Sequence, residues 1–215
     1  MASAVELVGA LVLTASLLAP PAAGTTAPAA AALVRRIERR HRAATDLTAR
    51  FVQTYRSGLI GREVVERGFV SIKRPGRMLW EYRQPEKKTF VADGKSFYFY
   101  VPADKQVIVR PQKGDKSITG LLLSGQSDLL SEFDVSVETA PPGLQRLRLL
   151  PRKADPEVEW VTVDVDDNDR IRAIAVTDVQ GNRSRFAFDG IRENVGLEDR
   201  LFQFRAPPGV EVVTG

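Results

Sequence analysis

The sequence predicts a mainly β fold of the α+β class, in which a curved antiparallel sheet of about eleven strands forms a half-barrel or a barrel. Two observations carry this prediction. From Phe51 onward, apolar and polar residues alternate in short runs, which is the period of a strand. Gly, Pro, Asn and Asp separate these runs, and short joins of this kind favour hairpins between antiparallel neighbours. A sheet of this size must curl or close to cover its inner face.

The strand bounds follow from the alternation and from the turn residues between the runs. Turns are expected where Gly, Pro or Asp residues cluster, for example at Pro75-Gly76 and Asp93-Gly94. The predicted strands span residues 49–57, 63–74, 78–83, 88–93, 96–101, 105–110, 133–139, 144–151, 157–165, 170–178 and 183–190.

The first residues of the chain differ in kind from the rest. An apolar run from Val8 to Leu18 precedes two prolines and an alanine-rich stretch through Ala32, which is typical of a cleaved signal peptide. We therefore expect residues 1–31 to be a signal peptide or flexible leader. Residues 32–215 are expected to form one exported domain.

Two helical segments are predicted beside the sheet. Leu33 and Ile37 recur at helical spacing among arginines within residues 30–48, so an amphipathic N-terminal helix should pack on the sheet. His41 is predicted on the exposed surface of this helix. Between Ser117 and Phe133, leucines alternate with Ser and Gly breaks, which favours two short helical turns that could plug the mouth of the barrel.

One hairpin combines an apolar face with a cation. Strand alternation puts Val70, Ile72 and Arg74 on one face. Beyond the turn at residues 75–76, the same alternation puts Met78, Trp80 and Tyr82 on one face. Leu79 and Glu81 point to the opposite face. Half of the aromatic side chains of the protein lie within residues 69–100, so the concave face should be richest here. An apolar ligand is expected against this face.

Arg74 needs hydrogen-bond acceptors if it faces an apolar interior. Arginine stays protonated in proteins, and burying its charge without partners costs several kcal/mol. Two interpretations are open. Backbone carbonyls of the segment from Ser117 to Phe133 could accept the bonds, which would make Arg74 a latch on a lid. Alternatively, the side chain reaches the rim of the barrel or pairs with Glu81.

The composition argues against catalysis and against nucleic-acid binding. The chain has one His and no Cys, and it lacks a nucleophile-elbow motif. The acidic stretch within residues 164–169 lacks the Gly and Glu of a calcium loop and indicates a hairpin. The formal charge of +4 is spread along the chain, and its densest cluster, within residues 35–40, fits the solvated face of a helix. We expect a non-enzymatic protein with no cofactor, no metal and no nucleic-acid partner.

Several short motifs stand in an order and spacing that together are specific. They are Phe51-Val52-Gln53-Thr54, the stretch Ile72–Tyr82 around Lys73-Arg74-Pro75, then Ala92-Asp93-Gly94-Lys95, Gln106-Val107, and the C-terminal stretch Phe202–Val212. Together they resemble the LolA family of periplasmic outer-membrane lipoprotein carriers over residues 33–213.

The resemblance implies an incomplete barrel with a helical lid and a hydrophobic cavity for the acyl chains of lipoproteins. It implies that Arg74 bonds the lid in the closed state. With the strand alternation, the expected ligand contacts are Val70, Ile72, Met78, Trp80, Tyr82, Phe97 and Phe99, of which the resemblance itself points to Met78 and Trp80. The expected lid contacts, from the leucine-rich segment, are Ile118, Leu121, Leu122 and Leu129.

The resemblance also implies a periplasmic monomer whose partners are acylated lipoproteins. An inner-membrane ABC-type release complex would supply them, and an outer-membrane receptor or the membrane itself would accept them. Other interpretations of the same half-barrel stay open: a glycolipid carrier, a sensor module for lipids or proteins, and a structural interaction module.

Overall fold

The computed structural model describes residues 27–112, Leu123 and 128–214. Within these ranges, most residues belong to one open, curved sheet of 12 strands. The helices are α1 (Pro28–Ala43), α2 (Leu129–Glu132) and a 3-10 helix (Asp199–Phe202). The strands are β1 (Asp46–Arg56), β2 (Glu63–Lys73), β3 (Arg77–Gln84), β4 (Lys88–Asp93), β5 (Ser96–Val101), β6 (Gln106–Pro111), β7 (Phe133–Glu138), β8 (Leu144–Pro151), β9 (Trp160–Asp166), β10 (Ile171–Thr177), β11 (Arg183–Glu193) and β12 (Glu211–Thr214).

The topology places β1 in the middle of the sheet. The strand order is β12-β6-β5-β4-β3-β2-β1-β11-β10-β9-β8-β7. Neighbouring strands are antiparallel, except that β12 runs parallel to β6. Because β1 pairs with β11, one central ladder joins the two halves of the chain.

The predicted mainly β fold is confirmed, with two corrections. Each predicted strand overlaps one of β1 to β11, although β1 begins at Asp46 rather than at residue 49 and β11 extends to Glu193. The sheet has a twelfth strand, β12, and its pairing is parallel rather than antiparallel. Sequence alternation missed β12 because the strand has four residues and its partner lies about one hundred residues earlier in the chain.

Helix α1 begins with Pro28, whose fixed backbone suits the first turn of a helix. Its buried face consists of Ala30, Leu33, Val34, Ile37 and His41. The prediction of an exposed His41 was wrong, because the residue lies four positions after Ile37 and shares its face; only 7% of it is exposed. The predicted helix also ended too late, since β1 already begins at Asp46.

The polar face of α1 is only partly solvated. Arg35 and Arg39 are exposed, as expected. Arg36, however, donates from Nε to Oδ1 of Asp169 at 2.9 Å, and Arg40 pairs with Glu193. These ion pairs fix α1 to the sheet at the β9–β10 turn and at the end of β11.

The outer face of the sheet is covered by a segment that sequence analysis did not place. A second cluster of buried residues contains Leu79, Val91 and Phe202, so Leu79 does face away from the main core. The backbone N–H groups of residues 195, 196 and 197 all donate to the buried carboxylate of Asp46, at 2.7, 3.1 and 3.1 Å. The C-terminal segment is therefore fixed to the start of β1. In the part of the chain that the structure describes, no helix has the length and hydropathy to span a membrane.

Candidate ligand-binding site

The concave face of the sheet carries the main apolar core of the protein. Val70 and Ile72 are each 1% exposed, and Met78 and Trp80 are each 6% exposed. Strand register puts these four residues on one face, because Val70 pairs with Trp80 and Ile72 pairs with Met78. The structure therefore brings together the four residues that sequence alternation assigned to the floor of a cavity.

Phe97 and Phe99, two further predicted ligand contacts, lie on the same face but are more exposed to solvent than the four floor residues. Phe97 packs against the main core and stacks on Phe90 with ring centroids 5.3 Å apart. Phe99 pairs with Phe90, which pairs with Trp80, so Phe99 also faces inward. It is 36% exposed.

Aromatic side chains form the centre of the floor. The ring of Phe51 meets the rings of Trp80 and Tyr82 edge to face, at centroid distances of 5.0 and 4.9 Å. Gly68 makes this packing possible. A Cβ at residue 68 would lie 2.0 Å from the carbonyl oxygen of Glu81 and 2.9 Å from the Phe51 ring.

Within the part of the chain that the structure describes, side chains of the protein itself pack closely beside the floor. Leu123 is 5% exposed and belongs to the core cluster of the concave face. A cavity of about 20 Å³ remains beside it, lined in part by Leu47, Ala49 and Ile72. This volume suits about one water molecule. Leu123 therefore occupies the space directly beside the floor.

Arg74 bonds backbone carbonyls on two separate segments. Nη1 donates to the carbonyl oxygen of Ala44 at 2.7 Å, and Nη2 donates to that of Leu123 at 3.1 Å. Among the described residues, Nε of Arg74 has no partner. Burial lowers the pKa of the Arg74 guanidinium, and the negative charge of Glu193 partly opposes this shift. Glu81 pairs with Arg83 instead, so it does not neutralise Arg74.

The predicted lid is described only in part. Ile118, Leu121 and Leu122 lie outside the described residues. Leu129 is 3% exposed and packs in the core cluster of the concave face. Its backbone N–H donates to Oε1 of Glu38 at 3.4 Å, so α2 begins against α1.

A line of polar side chains crosses the concave face beside the aromatic floor, and sequence analysis assigned a role to only one of them. We call it the polar row: Ser184, Gln53, Glu66, Tyr82 and Lys88. The Tyr82 hydroxyl donates to Oε1 of Gln53 at 2.7 Å, and Nε2 of Gln53 donates to Oγ of Ser184 at 3.2 Å. Nζ of Lys88 lies 2.6 Å from Oε1 of Glu66 and 4.5 Å from the centroid of the Tyr82 ring.

The environment of the polar row keeps Tyr82 neutral. Burial raises the pKa of the Tyr82 hydroxyl, and the nearby charge of Glu66 adds to this shift. The row could have been found by extending the floor along its strands, because Gln53 follows Phe51 by two residues and therefore points to the same face.

The acidic stretch within residues 164–169 forms the predicted hairpin between β9 and β10. Asp164 binds Arg146 through two hydrogen bonds, at 2.6 and 2.9 Å. Asp166 accepts hydrogen bonds from two backbone N–H groups of the turn. In the described ranges, no group of three His, Cys, Asp or Glu residues is arranged to hold a metal ion.

A family model and the curated relatives both identify one family. The family described as "Outer membrane lipoprotein carrier protein LolA" matches residues 42–205. The chain is 30% identical over 196 residues to the outer-membrane lipoprotein carrier protein of Chromobacterium violaceum, a match that covers 90% of this chain and 93% of the relative. The corresponding protein of Chromohalobacter salexigens is 31% identical over 172 residues, with 79% and 80% covered.

A solved structure supports the fold. An uncharacterized conserved protein from Thermus thermophilus superposes with a TM-score of 0.56 at 16% identity. The superposition covers 87% of this chain and 99% of that one. At this level of identity the match concerns the fold alone.

Proposed function

The chain belongs to the LolA family of outer membrane lipoprotein carrier proteins, and from this premise we propose that it binds the acyl chains of lipoproteins and carries them through the periplasm from the inner to the outer membrane. The observation that carries the proposal is the arrangement of the concave face. A deep apolar floor is covered by Leu123, and Arg74 bonds the backbone of that covering residue. On such a face, an apolar ligand such as an acyl chain can take the place of the apolar side chain of Leu123.

The energetics favour this exchange. Each buried CH₂ group contributes about 0.8 kcal/mol, whereas a fully buried leucine contributes about 2 kcal/mol. One acyl chain with more than a dozen CH₂ groups therefore replaces several leucines without loss of burial. The covered state also prevents the empty floor from facing water, which lets the protein release its cargo and stay folded.

Partners and location follow from the same proposal. An inner-membrane ABC-type complex would release the cargo to this protein, and an outer-membrane receptor or the membrane would accept it. We propose one domain that runs from α1 to β12 and acts as a monomer without catalysis. The leader expected over residues 1–31 overlaps α1, which begins at Pro28 and has Ala30 fully buried in the core. We therefore propose that cleavage falls before Pro28, earlier than the expected end of the leader.

The test is to identify what the protein carries. The protein is purified from bacterial cells that produce lipoproteins, and the molecules bound to it are identified by mass spectrometry. We expect acylated lipoproteins, and we expect none when the acylated cysteine of a known cargo is replaced by alanine. Recovery of a glycolipid, or of the alanine-substituted cargo in equal amount, would contradict the proposal and favour a related binding module.

A further inference from the structure

We propose that the polar row binds the ester and amide carbonyls that join the acyl chains of the cargo to its peptide. This inference rests on the proposed function and assigns a second part to the same site. The floor would hold the hydrocarbon, whereas the polar row would hold the polar head that follows it. The cargo would thereby enter with one orientation.

The position of the row along β1 fits this role. Leu47, Ala49 and Phe51 precede Gln53 on the inner face and lie in the core. Tyr55, the next residue on that face, is 41% exposed. Gln53 therefore stands where the covered floor ends and solvent begins. Leu47 and Gln53 are about 20 Å apart along the strand, which is the length scale of an extended long acyl chain.

The chemistry of the row also fits carbonyl groups. A carbonyl that leaves water without a hydrogen bond loses free energy, so the head of an acyl chain needs donors where it meets the protein. Lys88 carries three N–H donors, and the structure directs it to Glu66 and the Tyr82 ring. Donors therefore remain for a ligand. The Tyr82 hydroxyl occupies Oε1 of Gln53. Nε2 of Gln53 uses one of its two N–H groups on Ser184, so the other N–H is a second donor for a ligand.

Packing alone does not account for these residues. Lys88 and Glu66 face the concave side with side chains 24% and 17% exposed. Partly burying an ion pair gives little net stability compared with apolar residues of similar size. A face that held only hydrocarbon would gain more from apolar side chains at these two positions.

The experiment compares two probes on the same purified protein. One is a synthetic lipopeptide with an N-acyl-S-diacylglyceryl cysteine, and the other is a fluorescent naphthylamine dye that has no carbonyl group. The variants are Gln53→Leu and Lys88→Met, and the control is Lys87→Met, the same change at the neighbouring exposed lysine. We expect each variant to weaken lipopeptide binding about tenfold and to leave dye binding unchanged. The control should change neither.

A lipopeptide with ether in place of ester linkages lacks the two ester carbonyls and keeps the amide carbonyl, so it isolates the contribution of the esters. Wild-type protein should bind it more weakly, and Lys88→Met should cause little further loss. Tyr82→Phe, which keeps the ring, serves if either variant fails to fold, and it should weaken lipopeptide binding selectively. Equal binding of the ester lipopeptide by wild type and variants, or equal loss for both probes, would overturn the role of the polar row. Failure of the wild type to bind the lipopeptide would instead refute the proposed function.

Discussion

The guanidinium of Arg74 donates to the backbone carbonyl of Leu123, 49 residues further along the chain. Its other terminal nitrogen donates to Ala44, directly after α1. One side chain thus ties the β2–β3 turn to the end of a helix and to the cover of the apolar floor. Nε of Arg74 finds no partner among the described residues, and a buried donor without an acceptor costs about 1–3 kcal/mol.

Arg74→Leu should open the cover. The variant removes two charged hydrogen bonds, each worth about 1.5–3 kcal/mol, so amide hydrogen exchange at Leu123 and in α2 should accelerate at least tenfold. Lipoprotein should be held more tightly and handed to an acceptor more slowly, because the competing covered state is weakened. Arg83→Leu, at a side chain 52% exposed, is the control. Unchanged retention and release in Arg74→Leu would rule out the latch.

Trp80 should report ligand entry by fluorescence. Its ring is 6% exposed and meets the rings of Phe51 and Phe186 at 5.0 and 5.4 Å, so an acyl chain on the floor must alter its surroundings. The measurement is best made in a Trp160→Phe background, so that Trp80 is the one tryptophan that fluoresces. Trp160 lies elsewhere on the sheet, with the guanidinium of Arg148 4.6 Å from the centroid of its ring. A flat titration under conditions where binding is verified independently would mean that Trp80 does not line the site.

Gly68→Ala should destabilise the protein by more than about 3 kcal/mol or prevent folding. The added Cβ would meet the carbonyl oxygen of Glu81 at 2.0 Å, and two paired strands cannot move apart without losing hydrogen bonds. Gly143→Ala separates this clash from backbone strain, because residue 143 has a positive φ of 75° and open space around it. That control should cost about 1 kcal/mol. Chemical denaturation measures both, and similar losses would disprove the clash.

Asp46→Ala should loosen the C-terminal segment from the outer face. The change leaves three backbone N–H groups, at residues 195–197, without their carboxylate, and it should lower the free energy of unfolding by about 2–4 kcal/mol. Hydrogen exchange should accelerate most in residues 195–204. Asp189→Ala, at an outer-face carboxylate that is exposed, should have a small effect. Exchange that accelerates evenly over the whole sheet would argue against a local role.

Tyr82 should make the protein sensitive to alkali. Because the folded state raises the pKa of Tyr82, its contribution to stability is fully present below the unfolded pKa of about 10 and is lost as pH rises above that value. Thermal unfolding should therefore show a loss of stability above about pH 10 that is smaller in Tyr82→Phe. Tyr100→Phe provides a comparison at another tyrosine. Parallel pH profiles for wild type and Tyr82→Phe would contradict this assignment.

The floor was predictable because strand alternation acts locally. Val70 and Ile72 are two residues apart, as are Met78 and Trp80, so their common face follows from the period of a strand and one tight turn. The strands themselves were predictable for the same reason. Arg74 also stood out locally, as a charge on an apolar face, although the choice between its two interpretations needed the structure.

The features that sequence analysis missed depend on long-range pairing. The polar row exists because Gln53 pairs with Glu66 and Tyr82 pairs with Lys88, and such register is not visible in a single strand. The cover on Leu79 comes from Phe202, more than one hundred residues later. His41 was misplaced because its polarity outweighed its spacing from Ile37.

The pairing of β1 with β11 also determines when the protein can fold. The central ladder pairs Leu47 with Glu193, so the concave core cannot close until residue 193 has been synthesised. Contacts so distant in sequence slow folding because the loop between them must first be ordered. The strand order therefore sets a delay between the synthesis of β1 and the closure of the core.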